Sequence, residues 1–106
     1  MSSPHDSPEI IDEADLEQLA KAGKPVPPAR TYKFKVNDKF GYSQARTITG
    51  AEILTKTDFV PPSEWTLSMK VKKQWLPVAL TDPVDLGQPG LEMFRANKND
   101  AGDGAK

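Results

Sequence analysis

Alternation of apolar and polar positions becomes regular at Thr31. In TYKFKVND the apolar Tyr32, Phe34 and Val36 alternate with two lysines, which is the period-two pattern of a β-strand with one buried face. The residues NDK that follow favour a turn, and KFGYSQARTI can return as a second strand. This stretch therefore predicts a β-hairpin, in which Gly41 indicates a bulge or a turn.

A helix is predicted directly after the hairpin, in TGAEILTKTDF. Thr49 and Glu52 have the spacing of a capping box, in which each side chain accepts a hydrogen bond from the other residue's backbone N–H. Ile53 and Leu54 supply an apolar face. The prolines of VPPSE end the helix, because proline has no backbone donor and excludes helix from the residue before it.

The second half of the chain predicts another hairpin and a last strand. Apolar and polar residues alternate over 65–70, Trp75 begins a further apolar run, and Pro77 restricts that run to a sheet edge. TDPVDLGQPG favours turns with one short helical turn at residues 84–86, and LEMFR predicts a short strand. Both tryptophans are expected to be core or half-buried sheet residues. The predicted core contains Phe34, Val36, Ile53, Leu54, Leu67 and Leu80.

The first 30 residues differ in composition from the rest. Residues 1–22 contain six acidic side chains against one lysine, and the proline-rich KAGKPVPPAR that follows favours an extended linker. PEIIDEADLEQLAKAGK has helix signals, with acids early, a lysine late and Gly23 as a stop, but only a thin apolar stripe. Two interpretations stay open: a solvated tail with nascent helix, and a partner-binding motif that orders on docking.

Composition excludes several classes of protein. A length of 106 residues fits one domain, and the absence of cysteine excludes disulfides, thiolate zinc sites and thiol nucleophiles. A net charge of −1 gives no electrostatic case for nucleic acid or an anionic membrane as a partner. Without a membrane-spanning apolar run or a signal-peptide pattern, the expected location is cytoplasmic.

The sequence shows no catalytic constellation. No nucleophile, base and orienting group are predicted to converge, so an enzyme is not expected. His5 is the only histidine and lies in the polar N-terminus, where metal binding or acid–base catalysis is not expected. Asp82 and Asp85 are close enough to suggest a cation site, but Pro83 between them favours a turn.

A small basic cluster lies at the second hairpin. It consists of Lys70, Lys72 and Lys73, and Arg95 ends the last strand. Exposed hairpin lysines commonly serve solubility or protect a sheet edge. The alternative is partner binding by these three lysines and Arg95, with the lysines as a docking patch for an acidic partner surface. The acidic N-terminal segment could supply that surface in cis or from a neighbouring copy.

The order hairpin, helix, hairpin, turn, strand is that of an α+β, two-layer β-grasp arrangement. With YKFKVNDKF, TITGAEIL, WTL and VDLGQPGLEMFR in that order, residues 31–95 resemble a bacterial ubiquitin-like domain of the multiubiquitin type. The resemblance implies a ubiquitin-like β-grasp fold, with one helix packed across a mixed sheet. The expected organisation is a flexible, acidic and proline-rich extension over residues 1–30, the domain over 31–95, and a flexible C-terminal tail over 96–106.

The resemblance also implies a protein modifier that needs no cofactor of its own. Such proteins are encoded beside a ubiquitin-activating-like enzyme, a conjugating-like enzyme and a JAB-type zinc peptidase, and their implied roles include antiphage defence. In that chemistry the modifier's C-terminal carboxylate is adenylated with ATP, and the acyl group is passed to target proteins, for example as an isopeptide bond.

The tail RANKNDAGDGAK departs from the family's pattern. It has no Gly-Gly pair and does not end on glycine. Conjugation would therefore need a peptidase that removes Ala105 and Lys106 to expose Gly104, or cleavage after Gly102. Two function classes stay open: a modifier with a processed C-terminus, and a non-conjugated β-grasp interaction or assembly module.

Overall fold

The computed structural model describes residues 10–99, which form eight strands and two α-helices. In chain order these are β1 Ile11–Asp15, α1 Leu16–Lys21, β2 Ala29–Val36, β3 Lys39–Ser43, β4 Thr47–Thr49, α2 Gly50–Lys56, β5 Trp65–Val71, β6 Gln74–Val78, β7 Pro83–Asp85 and β8 Leu91–Lys98. A 3-10 helix, Pro62–Glu64, precedes β5. The described part of the chain is an α+β structure, as the sequence predicted.

Six of the strands form one mixed sheet. Its order is β1-β2-β8-β5-β6, and β3 also pairs with β2. The β2–β3 and β5–β6 pairs are the two predicted antiparallel hairpins, and β8 joins them, parallel to β2 and antiparallel to β5. Without β1, the order β3-β2-β8-β5-β6 with the last strand in the centre is consistent with a β-grasp-like fold. The strands β4 and β7 form a separate two-stranded sheet.

The first hairpin has the predicted buried face. Tyr32, Phe34 and Val36 are all buried, and Phe34 packs edge-to-face on Phe94 with ring centroids 5.9 Å apart. Gly41 pairs regularly with Phe34, so the expected bulge or turn is absent at this position. A Cβ at Gly41 would lie 2.6 Å from the Phe34 ring. Close packing of an aromatic ring therefore explains the glycine.

The main helix, α2, begins with the predicted capping box. The Glu52 backbone N–H donates to Thr49 Oγ1 at 3.2 Å, and the Thr49 N–H donates to Glu52 Oε1 at 2.8 Å. Two of the otherwise unpaired helix donors are satisfied in this way. Ile53 and Leu54 are fully buried. The helix contributes the centre of the core, in which the predicted Leu80 is only half-buried.

The N-terminal segment is part of the fold. β1 pairs in parallel with β2, with Ala14 opposite Tyr32, and both Ala14 and Leu16 are 1% exposed. The structure places residues 11–21 of the expected flexible extension in β1 and α1, and the proline-rich residues 24–28 form no helix or strand, whereas residues 1–9 lie outside the described part. A six-residue helix is marginal alone. Here strand pairing and burial in the common core supply the missing stabilisation.

The acidic side chains of this segment also have partners in the domain. Asp15 pairs with Lys33 at 3.7 Å and Glu17 with Lys35 at 3.6 Å. Lys33 and Lys35 alternate with the buried residues of β2, so they lie on the face of the sheet opposite the core. Asp15 and Glu17 therefore meet the lysines of β2 in cis, and within residues 10–99 no ion pair joins the N-terminal segment to the lysines of the second hairpin.

Two predicted local structures differ from those observed. KFGYSQARTI is two strands, because the Ser43 side chain holds a turn: its hydroxyl donates to the Ala45 carbonyl at 2.7 Å and accepts from the Ala45 N–H at 3.1 Å. The short helical turn expected at residues 84–86 is wrong. Residues 83–85 form β7, which is paired with β4.

The junction between β2 and β8 depends on one side chain. The two strands share a single register pair, Val36 with Phe94. Beyond it, Asn37 Nδ2 donates to the Ala96 carbonyl and the Ala96 N–H donates to Asn37 Oδ1, both at 3.0 Å. The Asn37 side-chain amide thus forms the two hydrogen bonds with β8 that a backbone peptide group would form if β2 continued further. Asn37 has a φ of 57°, which asparagine tolerates better than most residues.

We predict that Asn37→Gly lowers the free energy of unfolding by about 1–3 kcal/mol, because it leaves both Ala96 groups without their partner. Urea unfolding would measure the loss. Asp38→Gly, in the same turn, is the matched control, because it adds the same conformational entropy to the unfolded chain without removing the Asn37 amide. It should cost at most about 0.5–1 kcal/mol. Equal losses in the two variants would contradict a special role for Asn37.

We also predict that Leu16→Ala costs about 2–5 kcal/mol, the usual cost of truncating a buried leucine. Ile10→Ala should change stability by less than about 0.5 kcal/mol, since Ile10 is 59% exposed. Urea unfolding at one protein concentration would compare the two variants. If Leu16→Ala unfolded at the wild-type urea midpoint, the N-terminal helix would not belong to the core.

Candidate functional site

The last strand continues beyond its predicted end and is then anchored. Lys98 pairs with Glu64 at 3.2 Å. The Asn99 N–H donates to the Glu64 carbonyl at 2.8 Å, its Nδ2 donates to the Ser63 carbonyl at 3.2 Å, and its Oδ1 accepts from the Thr66 hydroxyl. The expectation of a flexible tail is therefore wrong for residues 96–99, because strand pairing and the 3-10 helix hold them.

This anchor limits where the predicted conjugation residues can be. Gly102 and Gly104 lie outside the described residues, but they follow Asn99 by only three and five positions. A fully extended chain spans at most about 11 Å over three residues and about 18 Å over five. A partner that uses either glycine must therefore approach the Asn99 end of β8 or release Asn99 from its bonds.

A second feature is the Trp75 ring on the edge strand β6, which has cationic side chains from two other strands beside it. The Arg95 guanidinium carbon lies 4.2 Å from the centre of the Trp75 ring, and Lys70 Nζ lies 6.0 Å from it. Register explains the grouping, since Lys70 is opposite Trp75 across the β5–β6 pair. Lys70 also pairs with Glu92 at 3.8 Å. We call Lys70, Trp75 and Arg95 the Trp75 cluster.

The Trp75 cluster has the composition of a protein-binding surface. Trp75 is 37% exposed, so part of its ring is available to a partner. Exposed cation–π contacts contribute about 0.5–1 kcal/mol each, which is enough to hold the Arg95 side chain near the ring. Tryptophan and arginine are among the residue types most enriched at the interface positions that contribute most of the binding energy.

Lys72 and Lys73 lie apart from this cluster, in the turn between β5 and β6. Their φ angles are 52° and 70°, the pattern of a type I′ turn, for which Asn-Gly is the usual sequence. A left-handed backbone costs a residue with a side chain roughly 1–2 kcal/mol. The structure therefore divides the predicted basic cluster: Lys70 joins Arg95 around Trp75, and the other two lysines occupy a strained turn.

The opposite edge of the sheet also exposes aromatic rings. Phe40 and Tyr42 on β3 are 47% and 49% exposed. Lys33 Nζ lies 4.4 Å from the centre of the Phe40 ring. Both edges of the sheet thus combine aromatic side chains with lysine or arginine.

The two aspartates considered as a cation site have other partners. Asp82 Oδ2 accepts from the Ala79 N–H at 2.9 Å, which confirms its turn role. Asp85 forms a two-point ion pair with Arg46, at 2.7 and 3.3 Å, and accepts from the Gly87 N–H at 2.8 Å. The hydrogen bond from Arg46 is the main cause that lowers the pKa of Asp85, and the same bond raises the pKa of Arg46.

Residues 10–99 contain neither a cluster of potential metal ligands nor a membrane-spanning helix. No group of three or more acidic or histidine side chains in this range could hold a metal ion, and His5 lies outside it. No helix within the described range is long and apolar enough to cross a membrane. The surface features described so far are the anchored end of β8, the Trp75 cluster, the strained lysine turn and the aromatic edge strand β3.

Sequence reasoning missed the contacts that position these features. Asn99 was assigned to the polar tail, and its partners lie 33 to 36 positions earlier in the chain. Arg95 is predicted as a partner-binding residue, but its contact with Trp75 is not, because that contact requires β8 and β6 to flank the same strand. No pattern among residues that are close in sequence predicts either contact.

Comparisons of the chain with protein-family models, with curated proteins and with solved structures find no match.

We predict that the Arg46–Asp85 pair stabilises the fold at neutral pH and not in acid. Because the pKa of Asp85 is lowered in the folded state, its contribution is present above the ordinary value of 3.8 and is lost as the pH falls through the lowered pKa. A double-mutant cycle with Arg46→Gln and Asp85→Asn, measured by urea unfolding, should show a small favourable coupling at about pH 7.

The same cycle repeated at falling pH should show the coupling diminish and then disappear, since the carboxylate becomes protonated as the pH passes through its lowered pKa. Asp82→Asn combined with Arg46→Gln is the matched control and should show no coupling at any pH. A coupling between Arg46 and Asp85 that stayed unchanged as the pH fell would contradict the assignment.

Proposed function

We propose that the chain is a ubiquitin-like protein modifier whose C-terminal tail is processed, adenylated and transferred by partner enzymes of a bacterial ubiquitination-like pathway. The observation that carries the proposal is the central position of β8. A last strand in the middle of the sheet brings the C-terminal segment out beside the 3-10 helix, at Asn99. Gly102 and Gly104 follow Asn99 by three and five positions, so an enzyme that acts on either glycine would approach this end of the domain or release Asn99 from its bonds.

The resemblance of residues 31–95 to ubiquitin-like domains supports the same proposal. The quoted stretches YKFKVNDKF, TITGAEIL and VDLGQPGLEMFR become β2 with β3, the capped start of α2, and β7 with β8. Together these stretches supply strands of the mixed sheet, the separate β4–β7 pair and the start of the main helix. The N-terminal β1 and α1 are additions to that arrangement.

The proposed reaction needs a free glycine carboxylate. Hydrolysis by a JAB-type zinc peptidase of the peptide bond after Gly104, or after Gly102, would supply it. The carboxylate oxygen then attacks the α-phosphorus of ATP, and pyrophosphate leaves. A nucleophile of the activating-like or conjugating-like enzyme displaces AMP from the acyl adenylate, and a target protein's nucleophile accepts the acyl group. This chain contributes the carboxylate and the docking surface.

A second candidate function is a non-conjugated β-grasp interaction or assembly module. The observation that favours it is the exposure of aromatic and apolar side chains on both edge strands, β3 and β6. The absence of a Gly-Gly pair from the sequence favours it as well. In that function the same edges would bind a partner or another copy of the chain, and the tail would not be processed.

We predict a change in intact mass when the chain is incubated with ATP, the activating-like and conjugating-like enzymes and the peptidase. Loss of the residues after Gly104, or of those after Gly102, should precede a covalent adduct with a partner enzyme. Mass spectrometry of the intact chain would identify both the cleavage site and the adduct.

Truncated chains separate processing from transfer. A chain that ends at the productive glycine should form the adduct without the peptidase, and a chain that ends at Ala101 should form none. Reactions without ATP are the control for non-enzymatic modification. An unchanged mass under every condition would exclude the modifier and leave the interaction module.

A further inference from the structure

An open groove of about 620 Å³ lies between the end of α1 and the β5–β6 turn. Four lysines line it: Lys21 and Lys24 from the end of the helix, and Lys72 and Lys73 from the turn. These lysines come from segments that are about 50 residues apart in sequence, so only the fold brings them together. We call this feature the lysine groove.

Few of these charges are neutralised by the described residues. Lys21 pairs with Glu17 at 3.4 Å. Glu92, the one acidic residue of the lining, lies 3.8 Å from Lys70. Lys24, Lys72 and Lys73 form no ion pair with any carboxylate of residues 10–99. The groove is therefore positively charged.

The backbone fixes both sides of the groove. Gly23 ends α1 with a φ of 71°, and the next N–H, from Lys24, donates to the Leu19 carbonyl at 2.9 Å. This is the usual glycine stop of a helix, and it directs the chain along the groove. The Lys72 N–H donates to the Gly90 carbonyl at 3.0 Å. The turn is thereby tied to the loop before β8.

The turn at Lys72 and Lys73 has a strained backbone, although other residues at these two positions would form the same turn without strain. Lys72 and Lys73 both have positive φ, although Asn-Gly would form the same turn without strain. A Cβ at Gly90 would lie 2.6 Å from Lys72 Cγ, so the lysine stem packs directly on the glycine. Strained residues persist where the rest of the fold holds them, and they concentrate at binding sites.

The remaining lining is apolar. Ala20, Pro25 and Pro89 contribute to it, together with the aliphatic stems of the lysines. Such a surface suits a ligand that has both apolar side chains and carboxylates. Because the lysines are spread over two chain segments, they suit separated negative charges better than one compact anion.

We infer that the lysine groove docks an extended acidic peptide segment of a partner protein, with an apolar side chain between its carboxylates. Charge complementarity supplies the attraction, and the apolar lining supplies contact area. The inference goes beyond the proposed function and does not rest on it, because docking in this groove requires neither a processed tail nor ATP.

The test uses the full chain and a fluorescein-labelled peptide of sequence Asp-Glu-Leu-Asp-Glu-Leu. Fluorescence anisotropy should show binding that weakens as salt is raised, and amide NMR shifts should locate the peptide at Gly23, Lys73 and Gly90. The peptide Asn-Gln-Leu-Asn-Gln-Leu should not bind. Binding of this neutral peptide with equal affinity, or shifts confined to other surfaces, would overturn the inference.

The decisive variant is Lys72→Asn with Lys73→Gly. It introduces the preferred turn sequence, so the chain should be at least as stable as the wild type, while the peptide should bind about fivefold to tenfold more weakly. Lys39→Asn with Lys56→Gln is the matched control, because it removes the same charge from exposed positions outside the groove. Its affinity for the peptide should equal that of the wild type.

Three results would overturn the inference: unchanged affinity in the turn variant, an equal loss of affinity in the control variant, or a less stable turn variant. Tripolyphosphate tests the alternative occupant. If it bound at the same amides and the acidic peptide did not, the groove would be a site for a compact anion instead of a peptide. None of these results would affect the mass experiment on the tail.

Discussion

The fold depends on the junction between β2 and β8. These strands are far apart in sequence, and the only register pair between them is Val36 with Phe94. Phe34 and Phe94 pack against each other on the core side, and the Asn37 amide bonds both backbone groups of Ala96. Without this junction the β2–β3 hairpin would be separate from the sheet formed by β5, β6 and β8.

The short β2–β8 pairing leaves room for the N-terminal segment. β1 pairs with residues 29–33 of β2, the part of that strand that precedes the junction, and α1 then contacts both β2 and β8. Leu16 is buried there, and the acids of the segment pair with the lysines of β2. This arrangement also places the end of α1 opposite the β5–β6 turn. The lysine groove therefore exists because the N-terminal segment is folded.

Local features were predictable where they depend on neighbours in sequence. The alternation in TYKFKVND, the capping box of Thr49 and Glu52, and the restriction of Pro77 to an edge strand were all read correctly, because each expresses the backbone preferences of a few consecutive residues. For the same reason Gly23 was recognised as the stop of a helix. The basic residues of the second hairpin were identified, but not their division into two groups.

The sequence by itself determined the α+β class, the two hairpins, the main helix and the absence of cysteine chemistry. Only the tertiary structure decided that residues 11–15 join the sheet while Leu16 joins the core, and that Asn99 anchors the end of β8. It alone also decided that Arg95 contacts Trp75 and that Lys72 and Lys73 line one groove with Lys21 and Lys24. The physical reason is the same in each case. Periodicity and capping depend on residues a few positions apart, whereas these contacts join segments tens of residues apart and form only when the whole sheet buries its core.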